Sequence, residues 1–139
     1  MNILKRMVFI SLIIIGCGSN GDNSDSPGLK VILASEDITM SGVKGATIIQ
    51  PLEAVVFDET NDTEVPDIDV TFTSSVPPPA VVLRSAEETS VSSSLVVTTD
   101  GLGSALCYVE VTVDEEREIV ITASINSSTD SMIITVEPL

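Results

Sequence analysis

From residue 29 onward, apolar and polar residues alternate in short runs that are separated by clusters of Gly, Pro, Asn and Asp. In one such run Ile68, Val70 and Phe72 share one side, and the polar residues between them share the other. Because successive side chains point to opposite faces of a strand, this spacing predicts half-buried β-strands. No stretch keeps the 3.6-residue repeat of an amphipathic helix. Eight strands are predicted, at 29–34, 47–57, 68–74, 80–83, 92–98, 104–113, 119–125 and 132–136.

The predicted strands each have one polar face, which favours antiparallel sheets with one side in the core and the other in solvent. Eight short strands with turn signals between them predict a two-sheet sandwich. The segment Asp-Gly-Leu-Gly at 100–103 is the strongest hairpin signal in the chain. We therefore expect it to join strands 92–98 and 104–113. The predicted core includes Phe57, Phe72, Val97, Cys107, Val109, Ile121 and Ile134.

The charge balance restricts the possible partners. The net charge is −15, from 21 acidic and 6 basic residues. Nucleic-acid binding depends on Lys and Arg side chains that neutralise phosphates, so this class of partner is excluded. Anionic lipid headgroups would also repel the chain, and membrane association would need a covalent anchor.

The N-terminal residues have the organisation of a signal peptide. Lys5 and Arg6 precede the apolar run 7–15, which ends at a small residue, Gly16, followed by Cys17. The run is much shorter than the roughly 20 apolar residues that span a bilayer. Residues 18–28 contain no large apolar side chain and are typical of a flexible tether. The predicted organisation is therefore a signal peptide at 1–16, a cysteine and tether at 17–28, and one β-sandwich domain at 29–139.

The sequence Ile-Ile-Gly-Cys at 14–17 resembles the lipobox of bacterial lipoproteins, although Ile15 stands where Ala or Ser is commoner. The resemblance implies that Cys17 is lipidated and becomes the mature N-terminus, with its thiol consumed and Cys107 left without a disulfide partner. Two or more acyl chains would hold the protein at a membrane. Gly18 lacks the Asp that retains such proteins in the inner membrane, which points to the outer membrane of the bacterial envelope. The alternative is an ordinary secretory signal with an incidental cysteine.

Three stretches of the domain resemble the bacterial immunoglobulin-like domains of the invasin and intimin type. They are the strand, acidic turn and Val-Pro strand at 52–72, the Thr-Asp-Gly-x-Gly turn at 98–105, and the Val-Ile-Thr-Ala strand at 119–124. The resemblance implies an all-β, immunoglobulin-like antiparallel sandwich of about seven or eight strands. The sequence departs from the family at 61–64, where a Gly-containing turn is usual, and at the three prolines 77–79.

Residues suited to catalysis or metal binding are few. The chain has no histidine, which removes the commonest general base and zinc ligand. Cys107 falls on the inward side of its strand, where a thiol has no activating partner. The pairs Asp67/Asp69 and Glu115/Glu116 are attributed to a solvated surface. The acidic turn at 58–64 lacks the EF-hand spacing that calcium binding would favour, and Tyr108 alone could offer an aromatic platform to a carbohydrate.

We therefore predict no catalytic residue, no metal site and no cofactor, and the protein is not expected to be an enzyme. Two functions remain. The first is a membrane-anchored structural, adhesive or spacer module of the cell envelope. The second is a non-catalytic subunit that binds a small ligand, an ion or a polysaccharide through its loops. An envelope protein or a polysaccharide is the expected partner, together with the membrane itself through the acyl chains on Cys17.

Overall fold

A computed structural model describes residues 28–85, 93–126 and 128–139. The predicted signal peptide, Cys17 and most of the tether lie outside these described residues. Within them the chain forms ten strands, and no helix that could cross a membrane is found there. The strands are β1 (Leu29–Leu33), β2 (Ile38–Gly42), β3 (Thr47–Asp58), β4 (Thr63–Glu64), β5 (Asp69–Ser74), β6 (Val81–Arg84), β7 (Ser94–Thr98), β8 (Ser104–Thr112), β9 (Arg117–Ile125) and β10 (Ser128–Pro138).

The strands form two sheets that pack face to face. Sheet A has the order β1-β3-β8-β6, with the short β4 paired to the end of β3, and sheet B has the order β2-β10-β9-β5-β7. The pairing of β2 with β10 is parallel, and the other pairings between these strands are antiparallel. The predicted immunoglobulin-like sandwich is therefore confirmed, and all eight predicted strands are present. The additional strands β2 and β4 were not predicted.

The core lies between the two sheets and consists mainly of Val, Ile, Leu and Ala side chains. Alternation assigns its members correctly: Phe72, Cys107, Val109, Ile121 and Ile134 are fully buried there. Val97 is only partly buried and packs against the edge of this cluster. The prediction for Phe57 needs correction, because this buried side chain is not a member of the inter-sheet cluster. Phe57 follows Val56, which belongs to the inter-sheet cluster. Because successive side chains of a strand point to opposite faces, Phe57 points to the outer side of sheet A.

The predicted hairpin at 100–103 is wrong. The turn forms, but the two strands that it connects, β7 and β8, do not pair with each other. Strand β7 pairs with β5 in sheet B, whereas β8 pairs with β3 and β6 in sheet A. The turn therefore crosses from one sheet to the other. Both flanking strands have one apolar face, and alternation alone does not distinguish two strands of one sheet from two strands that face each other across a core.

The free edge of β1 is closed by side chains from β10 in the opposite sheet. The backbone N–H groups of Val31 and Leu33 donate to Ser128 Oγ at 3.2 Å and to Asp130 Oδ2 at 2.8 Å. The backbone N–H of Ile133 donates to Asp37 Oδ1 at 2.8 Å, just before β2 begins. An open strand edge is a template for unwanted pairing with another chain. These side-chain acceptors occupy donors that such a pairing would use.

The two ends of the domain differ in what they carry. The end where the described chain starts, called here the proximal end, holds Leu29, the turn after β3 and the 99–103 turn, as the pairing of Leu29 with Asp58 shows. The opposite, distal end holds the turns 43–46 and 113–116, and there Leu139 N donates to Gly42 O. Strand β3 runs between them over 12 residues, which corresponds to about 40 Å at roughly 3.3 Å per residue. The N- and C-terminal strand ends thus lie at opposite ends of the sandwich.

Candidate functional site

The acidic turn between β3 and β4 is organised by Asp58. Its Oδ1 accepts from the backbone N–H groups of Thr60 at 2.8 Å and Asn61 at 3.3 Å, and its Oδ2 accepts from Asn61 Nδ2 at 2.8 Å. Asp62 adopts a left-handed φ of 58°, a conformation that Asp tolerates better than most side chains. Asp62 thus takes the turn position for which a glycine is usual. Both oxygens of Asp58 are used to hold the turn.

A second acidic residue of this turn, Glu59, is held by an ion pair. Lys30 Nζ lies 3.4 Å from Glu59 Oε2, so one member of the turn is paired to the neighbouring strand β1. Within the described ranges, no group of three or more Asp, Glu or Cys residues is placed to hold a metal ion. The arrangement is that of a self-capped turn at the surface.

One carboxylate of each pair noted in the sequence makes a side-chain contact, Asp69 in the first pair and Glu115 in the second. Thr98 Oγ1 donates to Asp69 Oδ1 at 2.7 Å, across the β5 and β7 pairing. Asp67 lies in the preceding turn with a φ of 61°, and its backbone N–H donates to Thr99 O at 3.0 Å. Glu115 pairs with Arg117 at 3.4 Å at the distal end. These contacts give Asp69 and Glu115 structural roles between strands and next to a turn.

Cys107 lies in the centre of β8, opposite Leu52 of β3, and its side chain is fully buried. Burial raises the pKa of the Cys107 thiol to about 12, because the thiolate would lose its hydration; a backbone hydrogen bond with Arg84 lowers it by a smaller amount. The thiolate is the form that acts as a nucleophile or metal ligand. The thiol of the folded domain is therefore chemically inert near neutral pH.

This leads to a prediction for alkylation. At about pH 8, a thiol with this pKa is ionised in roughly one molecule in ten thousand, against about one in ten for an unperturbed thiol. We expect iodoacetamide to modify Cys107 slowly in the folded protein and rapidly in concentrated urea, as measured by mass spectrometry. Fast labelling of the native protein would contradict the inward position.

The same shift has a consequence for stability. Because the pKa of Cys107 in the folded state is raised above the ordinary thiol value of 9.0, the unfolded chain loses its proton first as the pH rises. The contribution of the neutral thiol is complete below about pH 9 and is lost progressively toward pH 12. In urea titrations at increasing pH, the Cys107→Ala variant should lack this part of the alkaline destabilisation.

Tyr108 lies on the outer face of sheet A and is partly buried. Its register neighbours are Pro51 on β3 and Arg84 on β6. Arg84 is held by Glu110, with Nε 3.1 Å from Oε2. The sequence contains no Trp and one Tyr, so this face has no second large polar aromatic to build a stacking platform for a sugar.

The polar centre that was not predicted is Thr99, which directly follows β7 and is the one buried polar side chain among the described residues. Its Oγ1 accepts from Ile68 N and donates to Val65 O, both at 2.9 Å. Its backbone N–H also donates to Ile68 O at 2.8 Å. Thr99 therefore fastens the crossing turn to the segment that leads into β5. The Thr-Asp-Gly-x-Gly sequence was the available signal for it.

Asp100 completes the crossing turn. Its Oδ1 accepts from the backbone N–H groups of Leu102 at 2.9 Å and Ser104 at 3.0 Å. Gly103 follows with a φ of 74°, and a Cβ there would lie 2.8 Å from Val65 N. The glycine is required by both its conformation and this close approach.

These geometric features define an immunoglobulin-like β-sandwich, and comparisons with known proteins agree at the level of the fold. No protein-family model matches the sequence, and the comparison with curated proteins gives no match. Among solved structures, the chain resembles the surface layer protein SbsC, domains 1–6, with a TM-score of 0.52 and 15% identity. That match covers 82% of this chain and 14% of the other.

Two further structures have lower scores. The D00-D0 domain of intimin matches with a TM-score of 0.47 and 14% identity, over 85% of this chain and 51% of that one. A conjugative transposon lipoprotein from Bacteroides eggerthii matches with a TM-score of 0.48 and 12% identity, over 78% of this chain and 98% of that one. At these identities the similarity concerns the fold alone. The chain thus spans only a part of the S-layer and intimin chains that it resembles.

Proposed function

We propose that this chain is a lipoprotein of the bacterial envelope, anchored at the outer membrane through Cys17, whose immunoglobulin-like domain is a structural, adhesive or spacer module. The observation that carries the proposal is the placement of the two strand ends. Leu29 begins at the proximal end and β10 finishes at the distal end. A tether that enters at one end and a surface displayed at the other is the geometry that a spacer needs.

The charge of the domain fits attachment through an anchor alone. The proximal end carries Asp58, Glu59, Asp62, Glu64 and Asp100, close to the point where the tether joins Leu29, and the distal turn is acidic as well. Anionic headgroups repel such an end within about a Debye length, which is roughly 8–10 Å at physiological ionic strength. The anchor would therefore hold the domain near the membrane while its charge keeps the sandwich off the surface.

The contacts of the polar residues favour a non-catalytic role. Asp58, Asp69 and Asp100 accept hydrogen bonds within turns or between strands, and Cys107 is sealed in the core. An immunoglobulin-like sandwich takes its function from what its surfaces and loops bind. A partner protein or a polysaccharide of the envelope is the expected contact.

The anchor can be tested with two cysteine variants. We expect the full chain, expressed in a bacterial host, to incorporate radiolabelled palmitate and to sediment with membranes. Cys17→Ser should lose the label and leave an uncleaved precursor or a soluble product. Cys107→Ala is the matched control, because it removes the other cysteine, and it should keep the label. The proposal would be overturned if mass spectrometry found that the mature protein begins at a residue other than Cys17 and carries no lipid.

A further inference from the structure

The outer face of sheet A is unusually apolar for the solvent side of a sandwich. Ile49 and Pro51 of β3 and Leu106 of β8 are exposed, with Ile49 at 56% and Leu106 at 40%. The register places Leu106 opposite Glu53 and the partly buried Tyr108 opposite Pro51, so these side chains are neighbours on one surface. We call Ile49, Pro51, Leu106 and Tyr108 the apolar face.

Toward the proximal end, the outer side of sheet A is also apolar but is already covered within the single chain. Ile32 of β1 pairs with Val55 of β3, and Phe57 lies two residues further along the same side of β3. These three side chains point away from the inter-sheet core and are not members of its cluster. They are nevertheless buried, with only 4%, 2% and 4% of their surfaces exposed. The surface open to a partner is therefore the part around Ile49, Pro51, Leu106 and Tyr108, where an outer strand face in water normally carries polar residues.

The same surface carries little net charge in a strongly acidic protein. Alternation and register place three of the chain's 21 acidic residues there, Glu53, Glu64 and Glu110, and two of its 6 basic residues, Lys30 and Arg84. Both basic residues are in ion pairs, Arg84 with Glu110 and Lys30 with Glu59 of the neighbouring turn. Two copies that meet through this surface would keep most of their negative charge away from the interface, which reduces the repulsion between them.

We propose that the apolar face is the contact between two copies of this chain, packed sheet to sheet about a two-fold axis parallel to the strands. Such an interface is isologous, so each side chain of the apolar face meets the same set on its partner. The rotation brings the β6 flank of one copy, with Arg84, over the β1 and β3 flank of the other, where Glu53 lies. It also keeps both proximal ends on the same side, as two chains in one membrane require.

The distribution of charge favours a second copy over a cationic partner. A basic protein or peptide would be drawn to the acidic turns at the two ends of the domain, and the uncharged apolar face would contribute little attraction to it. The apolar face suits a second surface of the same kind: flat, apolar in the middle and with a pair of opposite charges at one flank. Aromatic residues such as Tyr108 are enriched at the centres of such interfaces.

The test uses a thiol crosslinker on the full chain in the membranes of the host. Leu106→Cys on β8 and Val120→Cys on β9 place one thiol on the outer face of a central strand in sheet A and in sheet B, at positions with similar exposure, 40% and 38%. A short bismaleimide should convert Leu106→Cys to a product of twice the mass. The yield of the same product from Val120→Cys should be lower by about tenfold or more, which corresponds to about 1.4 kcal/mol in the free energy of association.

A second pair of variants separates loss of contact from loss of folding. Adding Ile49→Lys to Leu106→Cys places a charge in the apolar face and should abolish the dimer product. Adding Val96→Lys, at a similarly exposed position on β7 of sheet B, should leave it unchanged; Ile49 and Val96 are 56% and 51% exposed. Equal thermal melting of both double variants would show that the fold is intact.

Two outcomes would overturn the proposal. One is a Leu106→Cys product no stronger than that of Val120→Cys. The other is a dominant product whose mass differs from twice that of the chain, which would assign the apolar face to a different protein. The palmitate experiment is independent of this one. If no palmitate were incorporated but the dimer product still formed, the proposed anchor would be wrong and the proposed interface would stand.

Discussion

Replacing Phe72 with alanine is expected to lower the free energy of unfolding by about 3–5 kcal/mol, the usual cost of truncating a fully buried Phe. Phe72 is among the largest fully buried side chains of the domain and lies in β5, between β9 and β7. The two neighbouring strands hold the backbone in place, so the cavity left by the ring would not collapse completely. Urea titration monitored by far-UV circular dichroism measures the change.

Val96→Ala is the control for this variant. Val96 lies on β7, the strand paired to β5, but its side chain is exposed to 51%. A surface substitution of this kind changes stability by no more than about 0.5 kcal/mol. If Phe72→Ala cost less than about 1 kcal/mol, the assignment of the inward face of β5 would be wrong.

The second large effect is expected at Gly103 in the crossing turn. Alanine there would have to hold the left-handed φ of 74°, and its Cβ would lie 2.8 Å from Val65 N and 2.9 Å from Glu64 Cβ. The conformation alone costs about 1–2 kcal/mol, and relief of the overlap would have to move the backbone that leads into β5. We expect a total loss of about 2–4 kcal/mol for Gly103→Ala.

Two other glycines separate the causes. Gly45 has a φ of 92°, and a Cβ added there would have no other atom within 4 Å, so Gly45→Ala should show the conformational cost alone. Gly101 also has open space and no left-handed φ, so Gly101→Ala should be nearly neutral. Thermal unfolding of the three variants should follow the order Gly103, Gly45, Gly101 in destabilisation. If Gly103→Ala were no more destabilising than Gly45→Ala, the close contact between the turn and Val65 would be wrong.

Much of this fold could be predicted because its strands alternate regularly. In β8 and β9 the inward positions from Ala105 to Val111 and from Ile119 to Ala123 are all buried, and a period of two leaves one assignment of faces. The strong turn residues around Asp100 located the end of one strand and the start of the next. Local pattern therefore determined where strands lie and which way they face.

The pairing of strands was less accessible, since it depends on contacts far apart in the sequence. Strand β2 has only Ile38 and Met40 as apolar residues, and its strand conformation depends on parallel pairing with β10. Strand β4 has two exposed residues and is defined by its pairing with the end of β3. The turn between β7 and β8 predicts a hairpin but forms a crossing, because a turn sequence does not encode the sheet to which the chain returns.

The candidate site shows the same division. The sequence indicated that Cys107 is buried, because alternation is local information. It did not reveal Thr99 as a buried hydroxyl, since its partners Val65 and Ile68 lie 34 and 31 residues away. The apolar face was equally hidden, because Leu106 and Tyr108 are separated from Ile49 and Pro51 in the chain and meet only through the register of β3 and β8.

The position of β10 has a bearing on the order in which the domain can fold. This strand lies between β2 and β9 in sheet B, and its side chains also close the edge of β1, across separations of 97 residues. Contacts so distant in sequence form slowly, because the loop entropy must be lost before they are made. Until β10 has been synthesised, β2 has no neighbour in its sheet and β1 has an open edge. The complete sandwich can therefore form only after β10 is available, and the strands that precede it in the chain wait for their last neighbour.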